Sequence, residues 1–416
     1  MTSPAAASFS ERTTCVIAGG GPAGMVLGLL LARAGVEVTV LEKHADFLRD
    51  FRGDTVHPST LTLLDELGLG ERFEQVPHRK VDRMQVMLDS GIAPFGDMSR
   101  IPGRHKHIAF VPQWDFLDLI AEAGKAEPTF SLRMNTSVTR LVKRGNKVAG
   151  VEYRTADGRT GELHADLVVA CDGRHSTARA GAGLTSRSFG VPMDVWWFRL
   201  PRGEEDPQGG LGRFASGEVA VLIDRGEYFQ CAYLIRKGSD AKVRAEGIEA
   251  FRRRVVRLIP WLGDRIDAVE SLDDVKLLDV KLERLTRWHT DGLLCIGDAA
   301  HAMSPVGGVG INLAVQDAVA AARILAEPLR RGTLTARDLA KVQRRRWLPT
   351  ALTQGMQRVI HKRVLGRTLG APGAPASGKT PLPIRLLRRF PLLQAIPATL
   401  VGIGVRPEHA PDFARR

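Results

Sequence analysis

Residues 13–42 run as apolar strand, glycine turn, apolar helix and second apolar strand, the pattern of one parallel βαβ unit. Thr13 to Ala18 predict the first strand, Met25 to Ala34 the helix and Val36 to Leu41 the second strand, with Gly35 ending the helix. Gly19, Gly21 and Gly24 fit the spacing G-x-G-x-x-G, and Glu42 closes the second strand. The first glycine permits a tight turn, the second lets a pyrophosphate approach the backbone, and the third lets helix and strand pack closely. The acid accepts hydrogen bonds from an adenosine ribose. Three glycines alone are a weak signal, but strand, helix, second strand and terminal acid together predict a dinucleotide site. Its candidate residues are Gly19, Gly21, Pro22, Ala23, Gly24, Glu42 and Lys43.

A second glycine cluster lies far downstream. Gly297-Asp298-Ala299-Ala300-His301 follows an apolar run, Leu293 to Ile296, and precedes Pro305-Val306-Gly307-Gly308-Val309-Gly310-Ile311-Asn312. A helix is expected from Asn312 to Leu325. A strand end, a carboxylate and a helix N-terminus then converge on one spot. Gly307, Gly308 and Gly310 let a flat ligand come close to the backbone. Amides at the helix start favour an anionic ring edge. A third segment, Asp166 to Gly173, is another apolar strand ending in the pair Asp172-Gly173.

With these three motifs in this order, the chain resembles the FAD-dependent aromatic hydroxylases of the para-hydroxybenzoate hydroxylase type. This flavoprotein monooxygenase family includes ubiquinone-biosynthesis hydroxylases, and the likeness runs from Thr13 to Leu325. It implies an α/β fold in which a FAD-binding Rossmann-like domain (12–75, 108–182 and 284–335) is interrupted by a β-sheet substrate domain (76–107 and 183–283). A helical C-terminal region (336–416) would follow, with a flexible linker near 370–382. The implied cofactor is non-covalent FAD, with NADPH or NADH as a transient reductant, since no second G-x-G-x-x-G unit is present. The resemblance assigns the ADP half of FAD to the first motif and the ribityl and pyrophosphate region to Asp298. Asp172 is assigned to FAD and nicotinamide binding. Arg52 and Gln113 match the family's flavin-contacting arginine and glutamine. Val138, Gly297, Gly310, Ile311 and Asn312 complete the cofactor set.

The implied reaction is hydroxylation of an aromatic or quinone-like molecule with O2, through a flavin C4a-hydroperoxide. Arg52, Pro305 and Gly308 are the catalytic candidates, acting through the flavin's surroundings, and Asp54, His57, Trp197 and Tyr228 are the substrate-side candidates. Plain alternatives stand beside them: His57 precedes Pro58 and can cap the next helix, and a tryptophan in a strand is usually core. Two rival activities share the framework. A FAD-dependent halogenase would carry W-x-W-x-I-P, which Val195-Trp196-Trp197-Phe198 does not fit. A quinone or isoprenoid reductase would use the same cofactor without activating oxygen.

Lys and Arg outnumber Asp and Glu, 59 to 46, for a net charge of +13. The basic residues are scattered, with local clusters such as Arg344-Arg345-Arg346 and Arg385, Arg388 and Arg389. No nucleic-acid module accompanies them, so a solvated arginine-rich surface is expected and no nucleic-acid partner. Cys15, Cys171, Cys231 and Cys295 lie in apolar runs without a C-x-x-C pair, so neither a metal site nor a disulfide framework is expected. Buried thiols and the lack of a signal-peptide pattern predict a cytoplasmic protein, monomeric or homodimeric. Phe390 to Val405 is apolar but broken by Pro391, Pro397, Gly402 and Gly404. It reads either as a peripheral membrane contact or as an arm packing on the body of the protein.

Overall fold

The computed structural model describes residues 10–48, 55–88, 91–207, 209–215, 217–370 and 382–416. Arg52, Asp54 and most of the expected linker, residues 371–381, lie outside the described residues.

Six short strands form the central sheet, in the order His289–Thr290, Leu293–Cys295, Leu167–Ala170, Cys15–Ala18, Val38–Leu41 and Phe130–Arg133. All pairs are parallel except the first, which is antiparallel. The middle strands are buried along their whole length, as their unbroken apolar sequences require of a sheet covered on both faces. Helices Pro22–Arg33, Gln113–Lys125 and Gly310–Arg330 share one apolar core with it. Because the strands run the same way, Ala18, Leu41, Ala170 and Cys295 all end at one edge. Ligands of open parallel sheets bind along such an edge.

A four-stranded sheet flanks it, ordered Ser10–Arg12, Thr160–His164, Lys147–Thr155 and Thr136–Arg144. A seven-stranded sheet carries Lys276–Leu278, Met193–Pro201, Tyr228–Arg236, Glu218–Asp224, Gly210–Ala215, Arg83–Leu88 and Gly91–Asp97. Its two faces separate by the two-residue period of a strand. Trp196, Phe198 and Leu200 pack under helix Ile248–Leu258, with Phe251 meeting Trp196 edge-on at 5.4 Å. Truncating such a buried aromatic costs about 3–5 kcal/mol. Val195, Trp197, Val219, Val221, Ala232 and Leu234 take the opposite face, and Val306 of the second glycine cluster packs among them.

Helix Gly310–Arg330 begins two residues before the expected start and runs five residues past the expected end. Helix Ala336–Ile360 is opened by a capping box between Thr335 and Asp338. Near the C-terminus, helix Ala395–Gly402 buries Ala398, Val401 and Gly402, the first two packed with Met98, Ile101, Val309 and Leu313. Leu392, Ile396 and Leu400 of the same stretch remain exposed. The arm therefore packs on the body by one face. Among the described residues no helix is long and apolar enough to cross a membrane.

Candidate active site

The first glycine turn is built by steric necessity. Gly19 has φ +104°, and a Cβ there would lie 2.5 Å from the Cys171 carbonyl oxygen. A Cβ on Gly24 would lie 2.0 Å from the carbonyl oxygen of Gly19. Gly21 differs, because nothing stands within 4 Å of the position its Cβ would take. That space lies at the N-terminus of helix Pro22–Arg33, which has no side-chain cap and no acid in its first turn. Open backbone amides and the positive end of the helix dipole are suited to a pyrophosphate there. Pro22 is the first helical residue, and Ala23 is buried behind it.

Glu42 leaves the end of strand Val38–Leu41 and is buried. Its carboxylate accepts backbone N–H bonds from Gly20 at 2.9 Å and His44 at 3.1 Å, which fix its orientation beside the turn. Lys43 is exposed next to it. Two residues past strand Leu167–Ala170, Asp172 accepts the N–H of Ala178 at 3.2 Å, and its other oxygen is buried without a partner among the described residues. Burial pushes its carboxyl above the usual range, although nearby hydrogen bonds from Ser176 and Ala178 oppose the shift. Gln113 opens helix Gln113–Lys125, and Val138 is half-buried in strand Thr136–Arg144.

Gly297 marks a close approach: a Cβ there would meet the methyl carbons of Ala23 at 3.2 Å and Ala314 at 3.4 Å. Both glycine clusters are thus packed together, while Asp298 turns its side chain outward. Behind the turn, Asp317 accepts the Gly297 N–H at 3.1 Å and contacts His301 at 2.5 Å and Arg346 at 3.0 Å. Arg346 lies 3.6 Å from Glu408, which Arg345 grips through two bonds of 2.7 Å. Burial alone would raise the Asp317 carboxyl, but His301 and Arg346 hold it below the ordinary range.

The loop from Ser304 to Gly310 faces the seven-stranded sheet, through Val306. Gly308 has φ +63°, and its carbonyl accepts a bond from Thr55 Oγ1 at 3.0 Å. Gln357 donates to the carbonyls of Ser304 and Val306, each at 2.9 Å, and accepts the Ser304 N–H at 3.2 Å. His361 Nε2 lies 2.9 Å from Ser304 Oγ. Pro305 is half-buried between these anchors. Helix Gly310–Arg330 starts at this loop without a side-chain cap, leaving the first amides, including those of Gly310, Ile311 and Asn312, without that partner. Asn312 accepts at its side-chain oxygen from Ser59 Oγ at 2.8 Å and Thr60 Oγ1 at 2.7 Å, which braces the helix start.

His57 corrects an expectation. Its ring is fully buried, with Nδ1 2.7 Å from the Val401 carbonyl and Nε2 3.1 Å from the Gly308 carbonyl. Burial depresses its basicity. The ring is a strut between the C-terminal arm and the glycine loop, it has no polar atom left for a substrate, and it makes no side-chain cap of helix Pro58–Glu66. Trp197 lies on the sheet face toward Val306, and its Nε1 is buried with no partner among the described residues. Tyr228 sits at the far end of the sheet under the Arg199 guanidinium, 5.0 Å from its ring centre.

The anchors Gln357 and His361 were not singled out from the sequence. A signal was present: Thr350, Gln354, Gln357 and His361 recur at helical spacing, and all four are buried. A polar stripe on the inward face of a helix calls for polar backbone to receive it.

The open space over Gly21, the uncapped helix, the fixed acid and the outward Asp298 fit the ADP and ribityl parts of FAD. The family described as FAD binding domain matches residues 12–354. The chain is 33% identical over 393 residues to 6-methylpretetramide 4-monooxygenase of Streptomyces rimosus, covering 94% of this chain and 92% of that protein. Among solved structures it is similar to OxyS anhydrotetracycline hydroxylase of Streptomyces rimosus, with a TM-score of 0.71 and 25% identity, covering 96% of this chain and 77% of that one. It also shares the fold of PqsL of Pseudomonas aeruginosa, with a TM-score of 0.72 and 21% identity over 86% of this chain and 99% of that one. With the FAD family matched along most of its length and a monooxygenase aligned nearly end to end, the chain belongs to the FAD-dependent aromatic hydroxylases and is a flavoprotein monooxygenase.

Proposed function

We propose that this monooxygenase hydroxylates the ring system of a fused-ring aromatic polyketide, with NADPH or NADH as electron donor. The observation that carries the substrate class is the apolar sheet face beside the glycine loop, where the partly buried Trp197, Val221 and Val306 share one cluster with the buried Val195, Val219, Ala232 and Leu234. A broad apolar wall suits a flat multi-ring molecule, which gains from buried area more than a small polar ring does. The unpartnered Nε1–H of Trp197 is a donor for a keto or phenol oxygen. The relative named for 6-methylpretetramide, aligned over nearly the whole chain, supports the same class.

Bound FAD supplies the hydride acceptor and the oxygen-activating ring. The amides after Gly21 hold its pyrophosphate, Glu42 its adenosine ribose, and Asp298 its ribityl and pyrophosphate region. Gln113, Val138 and Lys43 would add to the cofactor contacts, and Asp172 would serve both cofactor and nicotinamide. Backbone N–H groups at Gly310, Ile311 and Asn312 stabilise negative charge at the flavin edge. Pro305 to Gly308 close that side against water. Arg52 and Asp54 remain candidates for gating the flavin and for the substrate side. Tyr228 sits at the outer end of the wall.

The test is turnover of a panel of fused-ring and single-ring phenols with NADPH and NADH, read by mass spectrometry. Fused-ring substrates should give a product heavier by one oxygen. Val221→Trp, at a partly buried position of that face, should cut kcat/KM on them by at least about tenfold, or 1.4 kcal/mol. Better turnover of single-ring phenols would overturn the substrate class.

A further inference from the structure

We propose that Glu74, His78 and His107 form a binding site for one zinc-like divalent cation, built from residues separate from the flavin site. One ligand atom from each residue lies within 4.8 Å of the others. The Nε2 atoms of both histidines are buried and lack any hydrogen-bond partner among the described residues. Two orphaned nitrogens sharing one locus with a carboxylate need a common partner, because an unpaired buried polar atom is costly.

The protonation pattern points the same way. His78 Nδ1 lies 2.7 Å from the Val76 carbonyl, which only accepts, so Nδ1 carries the proton and Nε2 presents its lone pair. Metal-binding histidines are oriented by this kind of bond on the far nitrogen. Phe73 is buried, and its ring lies 5.1 Å from that of His78, which limits the imidazole's freedom. The backbone fixes the rest. Glu74 ends helix Gly70–Glu74, His78 enters strand Arg79–Val81, and His107 enters strand Ile108–Phe110, which pairs antiparallel with it. Two imidazoles and one carboxylate with an open position suit zinc, whereas magnesium and calcium prefer oxygen donors.

Lys80 is the competitor, with its ammonium 2.6 Å from Glu74 Oε2. A bound cation displaces it or shares the carboxylate with it. The strand that pairs with Arg79–Val81 also pairs with Thr55–Val56, whose Thr55 holds Gly308. An ion here would tie the helix end to a sheet that supports the glycine loop.

The experiment uses the FAD-bound protein, stripped with a chelator and titrated with ZnCl2 by calorimetry, with metal counted after gel filtration. One zinc per chain is expected, with a rise in melting temperature that MgCl2 does not give. His78→Ala and His107→Ala should each weaken zinc by at least about tenfold while FAD content is kept. Lys80→Met should tighten it, a gain that damage to the fold does not produce. His409→Ala, at an exposed histidine, should change nothing. Substoichiometric zinc, binding that survives loss of both His78 and His107, or no gain in Lys80→Met would overturn the site.

Discussion

Glu42 and Gly20 are joined by a hydrogen bond of 2.9 Å from the glycine N–H to the carboxylate, tying the end of one parallel strand to the turn that follows its neighbour. The acid is thereby held in place before any ribose arrives. Glu42→Ala should weaken FAD by roughly 1.5–3 kcal/mol, the range of a hydrogen bond to a charged group. Fluorescence titration of the flavin-free protein measures it, and an unchanged affinity would remove Glu42 from the cofactor site.

Two glycines of the same turn should fail in different ways. Gly24→Ala places a methyl 2.0 Å from the Gly19 carbonyl, so the flavin-free protein itself should be destabilised. Gly21→Ala meets nothing within 4 Å, so the flavin-free protein should melt as wild type yet bind FAD poorly. Melting curves with and without FAD separate the two. Equal melting and equal FAD binding in both variants would contradict the cradle.

Asp317 is the buried counter-charge of the second motif, set against His301, Arg346 and the Gly297 N–H. Asp317→Asn should cost about 3–5 kcal/mol, because it takes from the buried Arg346 guanidinium its carboxylate partner at 3.0 Å. The folded carboxyl is depressed, so its stabilisation is full above the unfolded value near pH 3.9 and is lost as pH falls through the lower folded value. Acid unfolding of wild type should therefore be steeper below about pH 4 than that of the variant.

The parallel sheet was legible because its strands are buried on both faces and read as apolar runs, as in Val16 and Ile17 or Leu167 and Val168. The glycine motifs were legible because their spacing reflects local sterics at Gly19 and Gly24. The antiparallel pair Thr136–Arg144 and Lys147–Thr155 was not, since its half-exposed strands alternate charged and apolar residues without a long apolar run. Its turn at Gly145, with φ +60°, was the available signal. His57 could not be placed from sequence, because its partner Val401 lies 344 residues away.

His361 gives the glycine loop a pH dependence. Burial pushes its imidazole down to about 4, so it is neutral while touching Ser304 Oγ. An unfolded histidine titrates near pH 6.5, so the stability this group contributes is full above that value and falls as pH drops toward 4. His361→Gln should flatten the loss of stability across that window, leaving a residual slope from His57, His107 and His289, whose basicity burial lowers, and from His175, lowered by the Lys281 charge. Denaturant midpoints taken across the window measure it, and an unaltered slope would show that His361 titrates normally.

The anchor Gln357 makes three hydrogen bonds to the backbone of Ser304 and Val306. Gln357→Leu should keep FAD while wasting reductant, since a loosened loop admits water to the oxygen chemistry. The ratio of hydrogen peroxide to hydroxylated product should rise by at least about tenfold. A variant as well coupled as wild type would make Gln357 a brace without influence on the site.

The most direct measurement is turnover under 18O2 with NADPH or NADH and a fused-ring aromatic substrate. Monooxygenation predicts one 18O atom in each product molecule and one reductant consumed for each product formed. Reductant oxidised with a reduced, unlabelled product, or a product formed only when halide is present, would contradict it.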